Sequence, residues 1–379
     1  MRRTVLAFFV FLLSNCSAVL FGAGPVIDPA TAKPSEKGDI LWYDVRPLGI
    51  EGQGWTDTKA PFDRLPAKAE QLVRPEVWSL SRHSAGLAVR FITPATRVWA
   101  RWTLTSPNLA LPHMPATSVS GLDLYVRVDG QWRWLATPRP TQSTNTTVLV
   151  SGLPEGEREF LLYFPLYNGV SSVEIGLPPD TPLKKADDRP AERKKPIVFY
   201  GTSITQGGCA SRPGMVHTAI LGRKFDRPVI NLGFSGNGTL DLPVAELLGE
   251  LDAAVYVIDC LPNLQGDQVA DRAVPFIQTL RKARPQTPIL LVEDRSYANS
   301  SIVPAMNERN RASRAALKRA FDSLIAAGDK HLYYLPGDKL IGDDGEGTVD
   351  GSHPTDLGFM RQAETFAACL MGLLTPDKK

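Results

Sequence analysis

Ile197-Val198-Phe199-Tyr200-Gly201-Thr202-Ser203-Ile204-Thr205-Gln206-Gly207 is the stretch on which the reading of this chain turns. Four consecutive apolar residues read as a short strand buried on both faces, and the glycines and hydroxyl residues that follow read as a tight loop at a helix start. The same texture returns downstream. Val229-Ile230-Asn231-Leu232, Ala254-Val255-Tyr256-Val257-Ile258, Ile289-Leu290-Leu291-Val292 and Leu332-Tyr333-Tyr334-Leu335 are four more short apolar runs with helical stretches between them. The clearest helix carries Leu317, Ala320, Phe321 and Leu324 on one face and stops near Gly328. Strands alternating with helices predict an α/β unit whose parallel sheet is covered on both faces, with its active site at the carboxyl edge of the sheet.

Every polar motif of this half follows a strand. Gly201 to Gly207 follows the first, Gly233-Phe234-Ser235-Gly236-Asn237-Gly238 the second, and Asp259-Cys260-Leu261-Pro262-Asn263 the third; Asp350-Gly351-Ser352-His353-Pro354 lies past the last. Loops that leave one sheet edge converge, and this set suits acyl transfer. A serine hydroxyl is a weak nucleophile that needs an adjacent base. His353 is placed to take the Ser203 proton, and Asp350, three residues earlier, to hold the imidazole by its other nitrogen. A tetrahedral oxyanion needs preorganised donors, for which the backbone N–H groups of Ser203 and Gly236 and the side-chain amide of Asn263 are the natural three, with Asn237 a rival. Each residue taken singly has a structural alternative: Ser203 an N-cap, Gly236 a turn glycine, Asn263 a strand-end cap, His353 a loop histidine partnered by Asp350. The glycines around Ser203 lack the Gly-Lys-Ser/Thr ending of a phosphate loop.

Residues 40–176 differ in texture. Arg97-Val98-Trp99-Ala100-Arg101-Trp102 alternates, with Val98, Ala100 and Trp102 on one face. Leu122, Leu124 and Val126 alternate with Asp123, Tyr125 and Arg127, and Asp129-Gly130 then signals a hairpin into Trp132-Arg133-Trp134. Short strands with frequent Gly and Pro turns, Phe160 to Phe164 among them, predict an antiparallel β-sandwich. Trp99, Trp102, Trp132 and Trp134 suit either its core or sugar stacking. His83, His113 and His217 read as packing or surface residues, His113 being placed where it could face the cleft, and Glu293-Asp294-Arg295 reads as a structural ion pair.

The 42 basic and 40 acidic residues leave a net charge of +2, too balanced to argue for nucleic acid or an anionic membrane. At the N-terminus Arg2 and Arg3 precede an apolar run over residues 5–13, too short to span a bilayer, followed by Cys16 and Ala18 at cleavage-site spacing. This reads as a signal peptide over 1–23 and a secreted or periplasmic protein without stable membrane insertion, a lipoprotein through Cys16 being the alternative. Cys209, Cys260 and Cys369 fit no metal motif; they read as small buried residues, with a Cys209–Cys260 bridge as an alternative.

From about Lys195 to the C-terminus the chain resembles the SGNH, or GDSL-like, hydrolases. Ser203, Gly236, Asn263 and the Asp350/His353 pair stand in the family's order, although the first block is Gly-Thr-Ser-Ile and the third Asp-Cys-Leu-Pro-Asn. Met114-Pro115-Ala116-Thr117, Gly121-Leu122-Asp123-Leu124-Tyr125 and Tyr167-Asn168-Gly169-Val170 resemble the Gly-x-Asp-Leu-Tyr β domain that precedes the hydrolase in a bacterial subgroup. The resemblance implies a three-layer, flavodoxin-like hydrolase domain over 196–379 and a jelly-roll-like sandwich over 36–180; the stretch 181–195 between them, rich in Lys, Asp, Arg and Pro and with almost no apolar periodicity, reads as a linker. The resemblance also implies a serine esterase working through an acyl-serine intermediate, without cofactor or metal, on acyl (chiefly acetyl) esters of a glycan or small molecule. Short-chain lipid or aryl esters, or a glycan-binding protein without turnover, are the alternatives.

Overall fold

A computed structural model describes residues 24–374. The signal-peptide expectation at 1–23, with its Cys16 alternative, lies outside the described residues.

The parallel sheet is built from Ile197–Gly201, Val229–Gly233, Val255–Asp259, Ile289–Val292 and Leu332–Leu335. In space the second strand lies outside the first, and the third, fourth and fifth follow on the other side, every pairing parallel. This is the doubly wound order in which the loops diverge at the first strand and open a crevice. The register is flush there. Gly201 lies opposite both Gly233 and Asp259, so three loops leave the sheet at one level. Val198, Tyr200, Leu232 and Ile258 pack on one face beneath the helices Leu242–Leu248, Gly266–Ala283 and Pro304–Ala326. Ile197, Phe199, Val257 and Leu290 pack on the other beneath His217–Phe225 and Asp356–Leu374. Burial on both sides is why these strands are continuous apolar runs. In Pro304–Ala326 the expected stripe holds for Leu317, Ala320 and Leu324, whereas Phe321 is only partly buried, against Tyr334. Among the described residues no helix is long and apolar enough to cross a membrane.

The N-terminal half holds two antiparallel sheets. One runs Lys33–Pro34, Leu41–Asp44, Val170–Leu177, Arg97–Leu104, Thr144–Ser151 in spatial order. The other runs Lys184–Lys185, Ala88–Thr93, Arg158–Tyr163, Asp123–Val128, Gln131–Ala136. Their inner faces meet over Val98, Ala100, Trp102, Leu124, Val126 and Phe160. Trp102 is wholly buried and its indole N–H reaches the Ser120 carbonyl, while Trp134 is half exposed and Trp99 and Trp132 lie between. The four tryptophans therefore form no single aromatic platform. Asp129 and Gly130, at φ 49° and 74°, make the expected two-residue turn, whose left-handed pair matches the twist of the hairpin.

The second sheet is also covered on its outer face. Ala88, Tyr125, Leu161 and Tyr163 pack there against Ile204, Val216, Ala219 and Phe359 of the C-terminal half. Asp123, on the side that alternation makes polar, is fully buried: it accepts from Arg212 (2.7 Å) and from the Gly214 N–H (2.8 Å). The charged stretch 181–195 is likewise docked. Leu183 enters the sandwich core, Lys184–Lys185 forms an edge strand, and Arg189 grips Glu51 through two bonds of 2.6 and 2.9 Å.

Candidate active site

Ser203 opens the short helix Ser203–Gln206 two residues beyond the first parallel strand. Thr202 caps that helix, and Gly207, at φ 117°, ends it. The turn is too tight for a side chain at position 201, where a Cβ would lie 2.1 Å from Thr205 Oγ1 and 2.7 Å from the Asp259 carbonyl. Ser203 is thereby held at the sheet edge, 9 % exposed.

His353 and Asp350 arrive on the loop before the last helix. Ser203 Oγ lies 2.8 Å from His353 Nε2, and His353 Nδ1 lies 2.7 Å from Asp350 Oδ2. Asp350 Oδ1 also accepts from the backbone N–H groups of Ser352 (3.0 Å) and His353 (2.8 Å). Burial raises the Asp350 carboxyl, but these bonds outweigh it and hold the group below its ordinary value. An ionised Asp350 assigns the proton of the neutral imidazole to Nδ1 and turns the Nε2 lone pair toward Ser203.

The glycine loop lies directly on the serine turn. A Cβ at Gly238 would stand 2.0 Å from the Gly201 carbonyl. The Phe234 N–H donates to the Gly201 carbonyl (2.9 Å), that of Ser235 to Gln206 Oε1 (3.0 Å), and those of Asn237 and Gly238 to the Phe234 carbonyl (2.8 and 2.9 Å). Gly236, at φ 70°, is the member of the loop whose N–H has no protein acceptor among the described residues, and the Ser203 N–H, first in its helix, is likewise unengaged. Asn263 ends the turn Leu261–Asn263, and its hydrogen-bonding neighbours assign its amide with Oδ1 toward the glycine loop, where it accepts from Asn237 N–H (3.0 Å) and Gly238 N–H (3.1 Å). That orientation puts the Nδ2 donor edge on the opposite side. The rival amide, Asn237, is occupied: Oδ1 accepts from Arg74 (2.7 Å) and Nδ2 donates to the Ser235 carbonyl (3.0 Å).

Several further residues surround the triad. Tyr167 donates its hydroxyl to the Ser203 carbonyl (3.1 Å), and burial pushes its phenol above the ordinary value. The His113 ring sits 6.2 Å from that of His353, so this loop does reach the site. Gln206 is buried and joins the serine helix to the glycine loop. Cys209, Cys260 and Cys369 are free thiols; the alternative Cys209–Cys260 bridge is absent. Glu293 binds Tyr334 and the Gly337 N–H, while Arg295 pairs with Asp259, both structural contacts.

Residues 194–371 match the GDSL-like lipase/acylhydrolase family, and residues 40–183 match the Gly-x-Asp-Leu-Tyr domain, the N-terminus of esterases of SGNH-hydrolase type. A crystal structure of a GDSL-like lipase from Bacteroides ovatus is 35% identical, covers 89% of this chain and 98% of its own, and superposes with a TM-score of 0.84. The chain belongs to the GDSL-like lipase/acylhydrolase family. This GDSL-like acylhydrolase is accordingly a carboxylic ester hydrolase of SGNH type. Two further structures share its fold. A salicylyl-acyltransferase from a tetracycline biosynthetic pathway is 21% identical, over 88% of this chain and 97% of that one, with a TM-score of 0.70. A family two carbohydrate esterase from Clostridium thermocellum, in complex with cellohexaose, is 16% identical, over 76% and 93%, with a TM-score of 0.56. No curated protein matches the chain.

Two histidines of the acylhydrolase are kept neutral by their surroundings. Burial, reinforced by the Arg64 charge, pushes His83 from 6.5 down to about 4. His217 is fully buried among Phe199, Phe359 and Phe366, and burial lowers it well below its ordinary value. Unfolding frees both rings to take up protons below their ordinary value near 6.5. Their contribution to stability is therefore present above that pH and is lost as the pH falls from about 6.5 toward 4. For His83 the full loss is roughly 3 kcal/mol. Denaturant midpoints at pH 7 and pH 4.5 should thus differ less in His83→Gln than in the wild type. Equal differences would show that His83 is not held neutral.

Proposed function

We propose that this acylhydrolase is a secreted serine esterase that removes short acyl groups, acetyl above all, from carbohydrate. Ser203 attacks the ester carbonyl while His353 takes its proton, and Asp350 orients and stabilises the imidazolium. The tetrahedral oxyanion is held by the N–H groups of Ser203 and Gly236 and by Asn263 Nδ2. The intermediate expels the alcohol, which receives the proton from His353. Water, deprotonated by the same ring, then attacks the acyl-serine and releases the acid. The observation that carries this reading is the unbroken relay Ser203–His353–Asp350 at 2.8 and 2.7 Å beside two backbone N–H groups without protein acceptors.

The substrate class rests on the shape of the neighbouring cleft and on the leader read at 1–23. The cleft is open, about 560 Å³, and is lined by Pro75, Glu76, Ser79, Leu80, Leu111, Tyr167, Ser235 and Asn237. Its mixture of polar groups and small apolar surfaces suits a hydroxylated leaving group better than a long acyl chain. The carbohydrate esterases that share the fold lend the same reading support.

Acetate release decides it. The wild type is expected to deacetylate acetylated oligosaccharides with a higher kcat/KM than p-nitrophenyl acetate, and Ser203→Ala to act on neither. Preference for aryl or lipid esters would replace the carbohydrate reading. Equal, slow release by wild type and variant would leave a glycan-binding protein without turnover. Asn263→Ala should lower kcat on the order of a hundredfold with little change in KM, because the donor acts on charge that exists only in the transition state. Steady-state kinetics on a chromogenic acetate reads this, and an unchanged kcat removes Asn263 from the oxyanion site.

A further inference from the structure

Behind the glycine loop lies a cation without a carboxylate. Arg64, from the N-terminal half, is 1 % exposed, and all its hydrogen bonds end on carbonyl oxygens: Nε on His83 (2.9 Å), Nη1 on Asn231 (3.0 Å) and Gly233 (2.8 Å), Nη2 on Leu80 (2.7 Å). Its guanidinium lies 5.0 Å from the centre of the Phe234 ring. Burial without a counter-charge lowers the guanidinium to about 9. Buried charges are ordinarily paired, so a site that keeps this one unpaired has a use for its position.

The position is specific. Val229–Gly233 is an edge strand of the parallel sheet, and the carbonyls of Asn231 and Gly233, two residues apart, project from its open side. Arg64 occupies both. Gly233 is the residue at which the strand passes into Phe234-Ser235-Gly236. From the serine side, Gln206 accepts the Ser235 N–H, donates to the Leu166 carbonyl (3.1 Å) and meets His83 Nδ1 (3.1 Å). The circuit Arg64–His83–Gln206–Ser235–Gly233 therefore closes around the residues immediately before Gly236. It ties them to the N-terminal half at one end and to the Ser203 helix at the other.

We propose that Arg64 and Gln206 are positioning residues for ester hydrolysis: they clamp residues 233–235 so that the Gly236 N–H is held where the oxyanion forms, and the unneutralised charge of Arg64 favours negative charge there. This inference rests on the reading of Gly236 as an oxyanion donor. A strut of this kind acts on the transition state rather than on substrate binding.

The test separates kcat from KM on p-nitrophenyl acetate in Arg64→Met, Arg64→Lys and Gln206→Met, with thermal unfolding to show which variants are folded at the assay temperature. In folded protein both methionine variants should lose roughly ten- to hundredfold in kcat, as small misplacements of reacting groups do, with KM within about twofold. Arg64→Lys, which keeps the charge but not the fork, should recover part of the Arg64→Met loss. If Arg64→Met does not fold, Gln206→Met, which leaves the four Arg64 bonds in place, carries the test. Unchanged kcat in folded variants, or a loss that appears only in KM, overturns the proposal while wild-type turnover that depends on Ser203 leaves the esterase reading standing. Wild-type turnover that does not depend on Ser203 overturns both.

Discussion

His353→Ala is expected to lower kcat/KM for ester hydrolysis by about four to six orders of magnitude, almost all of it in kcat. The ring is the only base within hydrogen-bond reach of Ser203 Oγ among the described residues, at 2.8 Å, and without it the hydroxyl must attack while still carrying its proton. Asp350→Asn should come close to the same loss. The amide can keep the geometry but offers its neutral donor edge as readily as its acceptor, so the ring is no longer bound to the tautomer with a free Nε2. The residual rate in either variant measures what the oxyanion donors and substrate binding supply by themselves. Steady-state kinetics on a small acetate ester checks both; a loss below tenfold in His353→Ala would mean that another group takes the proton.

Asp259→Ala is expected to destabilise the fold by about 3–5 kcal/mol. Asp259 is fully buried at the end of the third parallel strand, in register with Gly201, and Arg295 is 1 % exposed beside it. The two are joined by bonds of 2.8 and 3.3 Å, while Arg295 Nε has no partner. Removing the carboxylate leaves the buried guanidinium with only Asp294, 4.0 Å away and already paired with Arg309 at 3.1 Å, and the cost comes from that under-compensated charge rather than from the worth of the pair. Replacing both partners with apolar residues, as in Asp259→Leu with Arg295→Met, should therefore recover most of the loss. Denaturant unfolding of the single and double variants decides this. A single variant within about 1 kcal/mol of wild type, or a double variant no better than the single, would show that water reaches this pair.

The parallel half was legible because its signals are local. Each strand is buried on both faces and so is a continuous apolar run, and the chemistry of such a sheet sits at strand ends, where one polar loop follows each run. Ser203, His353 and Asp350 meet in space as their order suggests, and the hairpin at Asp129-Gly130 follows from two residues that tolerate a left-handed backbone. What escaped the sequence is held by contacts far along the chain. Alternation in 122–127 marks two faces correctly but does not say that the second, with Asp123 and Tyr125, is covered by the C-terminal half. Arg64 draws no reading from the sequence because its acceptors are backbone carbonyls, two of them 167 and 169 residues away, and a carbonyl leaves no mark in a sequence. Arg74, which donates to the Asn237 carbonyl oxygen from the other half of the chain, is likewise a contact that no local signal marks.

The Gly-x-Asp-Leu-Tyr motif gains a physical meaning from the same interface. At Gly121 a Cβ would stand 2.4 Å from the Thr117 carbonyl, so the turn into the strand requires its absence. Asp123 fixes Arg212 and Gly214 in the segment that follows the Ser203 helix, and the Tyr125 ring lies under Arg223, 4.0 Å away. The motif thus braces the hydrolase half from the sandwich side, close to Ser203.

The most direct measurement is the reaction of the purified protein with an organophosphonate ester, read by intact mass and by peptide mapping. Attack by an activated Ser203 predicts one adduct per chain, carried by the peptide containing Ser203, absent from Ser203→Ala and formed far more slowly in His353→Ala. An adduct mapped to a different residue, or full esterase activity in protein whose Ser203 stays unmodified, would contradict it.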